Sequence, residues 1–227
     1  MSREEEVVGN TCEYVKGALR GESSGHDWWH VRRVWRLAAH LCEEERADRF
    51  VVQLAALLHD ISDYKLNGGD VSLGPKMARA WLEGQQVDEA TISHVCEIIG
   101  EMSFKGAGVK SRMRTLEGMI VQDADRLDAI GAVGVARAFA YGGFKGAAMY
   151  EPDEEAVLHQ SFEEYRGRTA STVGHFYEKL LLLKGRMNTD AARRIAAERH
   201  EFMETFLSQL LREWEGRDLL AAADTSA

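Results

Sequence analysis

The residues of this chain whose types and spacing can do chemistry are two histidines and two aspartates on three separate apolar stretches: His30, the doublet His59 with Asp60, and Asp123. The doublet carries the clearest signal. In LAALLHDISDYK, Leu54, Ala55, Ala56, Leu57 and Leu58 run into His59 with Val52 just upstream, a pattern that predicts a helix apolar all round and therefore buried. An ionised carboxylate withdrawn from water costs several kcal/mol unless it is paired or coordinates a cation, and a bound metal meets that cost. An isolated His-Asp doublet is more often a helix-terminal histidine beside a solvated aspartate, so the rest of the chain has to carry the metal reading. Two imidazoles and two carboxylates form a mixed nitrogen and oxygen donor set, suited to Mn²⁺, Fe²⁺, Co²⁺, Ni²⁺ or Zn²⁺ rather than to thiolate-loving ions.

The elements that must position these side chains read as helices throughout. Only Pro75 and Pro152 interrupt the chain, and apolar residues recur at helical rather than alternating spacing. Val7, Val8, Cys12, Val15 and Leu19 share a face of a first helix that stops near Gly21. A second begins around Asp27 and buries Trp28, Val31, Val34, Trp35, Ala38 and Leu41, with Arg32, Arg33 and Arg36 on other faces. If it starts early enough, His26 and His30 stack on one side of it.

Asp48 is the expected cap of the buried third helix and Asp88 of the fifth, whose Ile92, Val95, Ile98 and Ile99 face inward. Between them lie a turn-rich loop, Asn67 to Asp70, and a short helix with Met77, Trp81 and Leu82. A sixth helix starts at Leu116 and again runs from apolar residues into acid, VQDADRLD. The small residues of GAVGVARAFA predict close helix packing, and the acidic segment up to Thr169 reads as a surface excursion. Two long helices complete the chain, one through Phe176, Leu180, Leu181 and Leu183, the other from Thr189 through Ile195, Phe202, Phe206, Leu210 and Trp214. Without repeat or linker, the expectation is one all-α helical bundle over residues 1–216, with 217–227 a frayed tail.

Composition bounds the function. The 227 residues suffice for a sizeable core. No apolar run approaches the roughly 20 residues of a membrane span, and MSREEEVVGN lacks a basic and then apolar leader, so a cytoplasmic protein is expected. Cys12, Cys42 and Cys96 are widely spaced without a C-x-x-C pair, which points to core thiols rather than to disulfides or a thiolate zinc site. A net charge of −9 argues against a general nucleic-acid surface; a small phosphorylated ligand remains compatible with it.

The order H, HD, D on helices resembles the HD-domain superfamily of metal-dependent phosphohydrolases: His30 in HVRRVWRLA, the doublet in LAALLHD, and Asp123 in MIVQDADRLDAIGA. Over most of the chain the blocks GHDWWHVRRVW, HVCEIIGEMSFKG, QDADRLDAIGAVGVARAFAYGG and HFYEKLLLLKGRMNT are similar to a small bacterial branch that includes nucleotide pyrophosphohydrolases. The Gly-Tyr-Pro block of the cyclic-dinucleotide phosphodiesterases and the second His-Asp doublet of two-metal members are missing.

The resemblance implies an HD-type bundle with one divalent ion, Mn²⁺ favoured and Mg²⁺ admissible, on His30, His59, Asp60 and Asp123. It implies a small nucleotide as partner rather than nucleic acid or a membrane, and leaves the oligomeric state open. His26 and Asp63 are candidates to move a proton or orient water, with capping as their alternative. Lys65, Lys105, Arg126 and Lys145 are candidates to neutralise phosphate oxygens, Lys105 and Arg126 foremost because they sit in the shared blocks; solvated surface cations are the alternative. His94 is either a further contact in the site or a buried, hydrogen-bonded histidine. Asp125 and Asp128 are candidate partners of the histidines. The expected reaction is hydrolysis of a nucleoside triphosphate to monophosphate and pyrophosphate; a nucleoside monophosphate phosphatase, another phosphodiesterase of the same type, or a nucleotide sensor without turnover are the alternatives.

Overall fold

The segment with least exposure is the one the sequence marks as apolar all round. In the computed structural model, α3 (Arg49–Leu58) buries Val51, Val52 and every residue from Leu54 to Leu58. Its start is held by Asp48, whose carboxylate accepts from the amides of Phe50 and Val51. The structure describes residues 2–21, 25, 27–62, 72–102, 108–109, 113–154 and 170–220. Among them all regular structure is helical.

Around α3 stand α1 (Arg3–Ala18), α2 (Trp28–Glu45), α5 (Glu89–Glu101) and α6 (Leu116–Asp128), each packed on it. The α2 helix lies most extensively against α6 and α3, so the three elements that carry His30, His59 and the DADRLD acids are mutual neighbours. Asp88 caps α5 as expected, and Asp27, where α2 was expected to begin, is its cap. The α4 helix (Leu73–Gly84) pairs with α5, and its Trp81 stacks on Tyr14 of α1 at 3.9 Å between ring centroids while donating to Thr11 Oγ1. Helices α7 (Gly131–Lys145), α8 (Thr172–Glu178), α9 (Asp190–Trp214) and α10 (Arg217–Leu220) complete the described chain.

Two expectations for the C-terminal region need correction. The leucine run is not part of a long helix: α8 stops at Glu178, Lys179 leaves helical geometry, and Leu180–Arg186 form a 3₁₀ segment. With three residues per turn, Leu180 and Leu183 fall on one side, and these two are the buried ones. In α9 the inward stripe is Ala192, Ala196, Met203 and Leu207; Phe206 joins it against Phe139 and Phe176. Phe202 and Trp214 are 46% and 47% exposed, because a 25-residue helix overshoots the core and places them off that stripe.

Close packing at the small residues of α7 is real. An added Cβ on Gly134 would lie 2.3 Å from the carbonyl oxygen of Ala129, a backbone atom of the α6–α7 corner with no side-chain freedom to yield. Gly134→Ala is therefore expected to destabilise the fold by about 1–3 kcal/mol despite alanine's better helix propensity. Urea unfolding followed by circular dichroism checks this.

Candidate metal centre

His30 sits in the first turn of α2, its amide held by the Asp27 carboxylate at 2.9 Å. His59 and Asp60 follow directly on α3. Packing of α2 on α3 brings His30 Nε2 to 3.3 Å from His59 Nε2 and 3.3 Å from Asp60 Oδ2, and the latter two atoms lie 3.7 Å apart. Asp125 of α6 stands beside the group, with Oδ1 3.6 Å from His30 Nε2 and 3.9 Å from His59 Nε2. Donors about 2.1 Å from a common ion stand roughly 3–3.5 Å from one another, so His30, His59 and Asp60 have the separations of a ligand set, and Asp125 flanks it.

The hydrogen bonds behind the histidines fix which nitrogen faces the group. His59 Nδ1 donates to the carbonyl of Ala56 at 2.8 Å, and His30 Nδ1 donates to Asp128 Oδ2 at 2.7 Å. Both rings then present Nε2 as an acceptor, toward each other and toward two carboxylates. Such a set of acceptors is electrostatically unfavourable unless a proton or a cation sits among them. The pKa of His30 reports the same pull: burial works to lower it, but hydrogen bonding to Asp128 and Asp60 outweighs burial and raises it. A divalent cation competes with that proton for the same nitrogen.

Asp128 is 1% exposed. Arg33 approaches it as a fork, Nε to Oδ1 at 2.7 Å and Nη2 to Oδ2 at 3.1 Å, and Arg137 Nη1 reaches Oδ2 at 2.9 Å. Burial alone would raise its pKa; the hydrogen bonds from His30 and Arg33, with the charges of His30 and Arg137, hold it well below the usual carboxylate range. Asp128 was expected as a partner of the histidines, whereas the two arginines were not. Arg33 lies three residues after His30 and so shares its helix face, the one sequence signal that could have found it.

Asp123 is placed elsewhere, a correction to the expected ligand set. It is fully buried, and its carboxylate accepts from the amides of Asn188 and Thr189, from Asn188 Nδ2 and from Thr189 Oγ1, at 2.8–3.0 Å. Burial pushes its pKa up against these donors. It anchors the turn into α9, and Asp125, two residues on and so on another side of α6, is the acid that faces the histidines.

Other expected contacts have partners of their own. The Arg126 guanidinium is largely buried, donates to the Arg186 carbonyl and stands 3.8 Å from Asp123; burial draws its pKa down against the pull of Asp123 and Asp125. It fastens α6 to the 3₁₀ segment. Lys145 ends α7, roughly 20 Å along that helix from Gly131, with its ammonium over the rings of Tyr141 and Phe144. His94 bonds Thr115 Oγ1 at 2.9 Å, at the end of α6 opposite Asp125, and is the hydrogen-bonded histidine of the two alternatives. His26, Asp63, Lys65 and Lys105 lie outside the described residues, as do the Asn67–Asp70 loop and most of the segment up to Thr169.

Comparison with known proteins bears on the family. The HD domain family matches residues 28–130, which span α2 to the end of α6. YpgQ of Bacillus subtilis (strain 168) is 44% identical over 206 residues, covering 90% of this chain and 92% of its own. The crystal structure of an HD-superfamily hydrolase from Bacillus thuringiensis superposes with a TM-score of 0.72 at 43% identity, over 93% of this chain and 98% of that one. The crystal structure of YpgQ in complex with ADP does so with a TM-score of 0.75 at 38% identity, over 93% and 97%. With the histidines and the doublet meeting at one point of an all-helical fold, and relatives alike over nearly their whole length, the chain belongs to the HD-domain phosphohydrolase family.

Proposed function

We propose that this protein hydrolyses a ribo- or deoxyribonucleoside triphosphate to the monophosphate and pyrophosphate, using one divalent cation, Mn²⁺ by preference, held by His30, His59, Asp60 and Asp125. The observation that carries the reading is the convergence of two Nε2 acceptors and two carboxylates whose outer hydrogen bonds leave them facing one another. The ADP held by YpgQ supports a nucleotide as the ligand class.

When bound, the ion supplies Lewis acidity, which makes a water acidic enough to attack near neutral pH and withdraws charge from a phosphoryl oxygen. The chain's residues do the rest. Asp128 and the Ala56 carbonyl fix the two rings from behind, and Asp60 and Asp125 balance the cation's charge. Asp63, close in sequence to the doublet, is the proposed acceptor of the water's proton, with His26 the alternative. Arg126 and Lys145 are engaged elsewhere, so Lys65 and Lys105 are the cations proposed to hold the outer phosphates. Attack at the α-phosphorus expels pyrophosphate, whose charge those lysines stabilise as it develops.

The test is incubation of a deoxynucleoside triphosphate with the protein and Mn²⁺, with products resolved by ion-exchange chromatography. Monophosphate and pyrophosphate are expected in equal amounts, in proportion to protein and metal. Stepwise diphosphate and orthophosphate overturn attack at the α-phosphorus. Nucleoside released from monophosphates alone marks a nucleotidase, and tight nucleotide binding without product marks a sensor.

A further inference from the structure

One guanidinium joins three segments behind the metal group. Arg137 of α7 donates through Nε and Nη2 to the Gly25 carbonyl, at 3.2 and 2.8 Å, and through Nη1 to Asp128 Oδ2 at 2.9 Å. Gly25 stands two residues before Asp27, the cap that holds the His30 amide, and Asp128 holds His30 Nδ1. The two ends of His30, backbone and ring, are thus referred to the same side chain. Arg33 cannot supply this constraint, because it lies on α2 with His30 and moves with it.

The geometry points to Arg137 as a positioning residue of the metal centre: by clamping the Gly25 carbonyl and the Asp128 carboxylate together, it sets where His30 Nε2 stands relative to His59 and Asp60. The inference rests on the proposed metal ligation. It assigns to α7, which lies beyond the matched HD segment, a part in metal affinity. Only a planar fork meets both partners. A lysine in its place keeps the charge with one ammonium that cannot reproduce two N–H bonds on the carbonyl and one on the carboxylate.

The test is Mn²⁺ titration by calorimetry, well below the melting temperature of every protein compared: wild type, Arg137→Lys, Arg137→Gln, Asp128→Asn, and Asp128→Asn combined with Arg137→Lys. Arg137→Lys and Arg137→Gln are expected to weaken Mn²⁺ binding roughly tenfold, the lower end of what outer partners of metal histidines contribute. Added to Asp128→Asn, Arg137→Lys should weaken it by less than its own single loss, because both act through the same carboxylate. Two results overturn the inference: both Arg137 variants melting lower yet binding Mn²⁺ within twofold of wild type, or losses that simply multiply in the double variant. Wild-type protein that binds no Mn²⁺ defeats the metal reading itself, and is distinct from both.

Discussion

Alanine at His59 or at Asp60 is expected to give a folded protein that retains no Mn²⁺ through gel filtration and has lost at least about 10³-fold in nucleotide turnover. Each change removes one member of the proposed four-donor set, and without the ion a water near neutral pH has a pKa near 15.7 rather than near 7. The apo fold should tolerate both substitutions. Both residues stand at the C-terminal end of α3, beyond its last helical residue Leu58, and groups kept for function commonly add little to stability. Apo melting temperatures within a few degrees of wild type, with metal content by atomic absorption near zero, are the expected pair of results. Full occupancy in either variant would remove these residues from the site.

The second contrast is between two acids of one helix turn. Asp125→Asn is expected to weaken Mn²⁺ binding by roughly two orders of magnitude with little change in apo stability, since the side chain is 38% exposed and faces the histidines. Asp123→Asn should do the reverse. Its new amide N–H₂ would point at donors from Asn188 and Thr189, leaving buried groups unsatisfied at a cost of about 2–4 kcal/mol. For a chain of this size that is a melting temperature lower by roughly 5–15 °C, with Mn²⁺ affinity retained below the transition. Calorimetric melting and titration of the two variants side by side decide the matter; metal loss in Asp123→Asn at temperatures where it is folded would return Asp123 to the site.

What could be read from the sequence follows the range of the interactions involved. Helix caps and buried faces are local, and Asp27, Asp48, Asp88 and Thr189 stand at helix starts where the pattern put them. The His30, His59 and Asp60 group was legible because a buried helix ending in imidazole and carboxylate is costly without a partner. The choice between Asp123 and Asp125 was not, because it depends on a contact between Asp123 and Thr189 across 66 positions of sequence. Both residues follow the same apolar run, and no periodicity tells which acid meets the histidines and which meets the start of α9. The hold of Arg126 on the Arg186 carbonyl was hidden for a related reason, since it spans 60 positions of sequence.

The split duties of α6 bear on where this protein can be cut. One helix presents Asp125 and Asp128 to α2 and α3, yet it is fastened through Asp123, Arg126 and the Leu127 carbonyl to Thr189, Arg186 and Arg199. All three fastenings lie outside the stretch of residues 28–130 that matches the family. A fragment ending at the family boundary would keep every proposed metal ligand while losing the donors from Asn188 and Thr189 that hold Asp123 and the Arg186 carbonyl that holds Arg126, and is expected to melt well below the whole chain. The part of the chain that carries the proposed chemistry is therefore expected to depend for its stability on helices that lie beyond it in sequence.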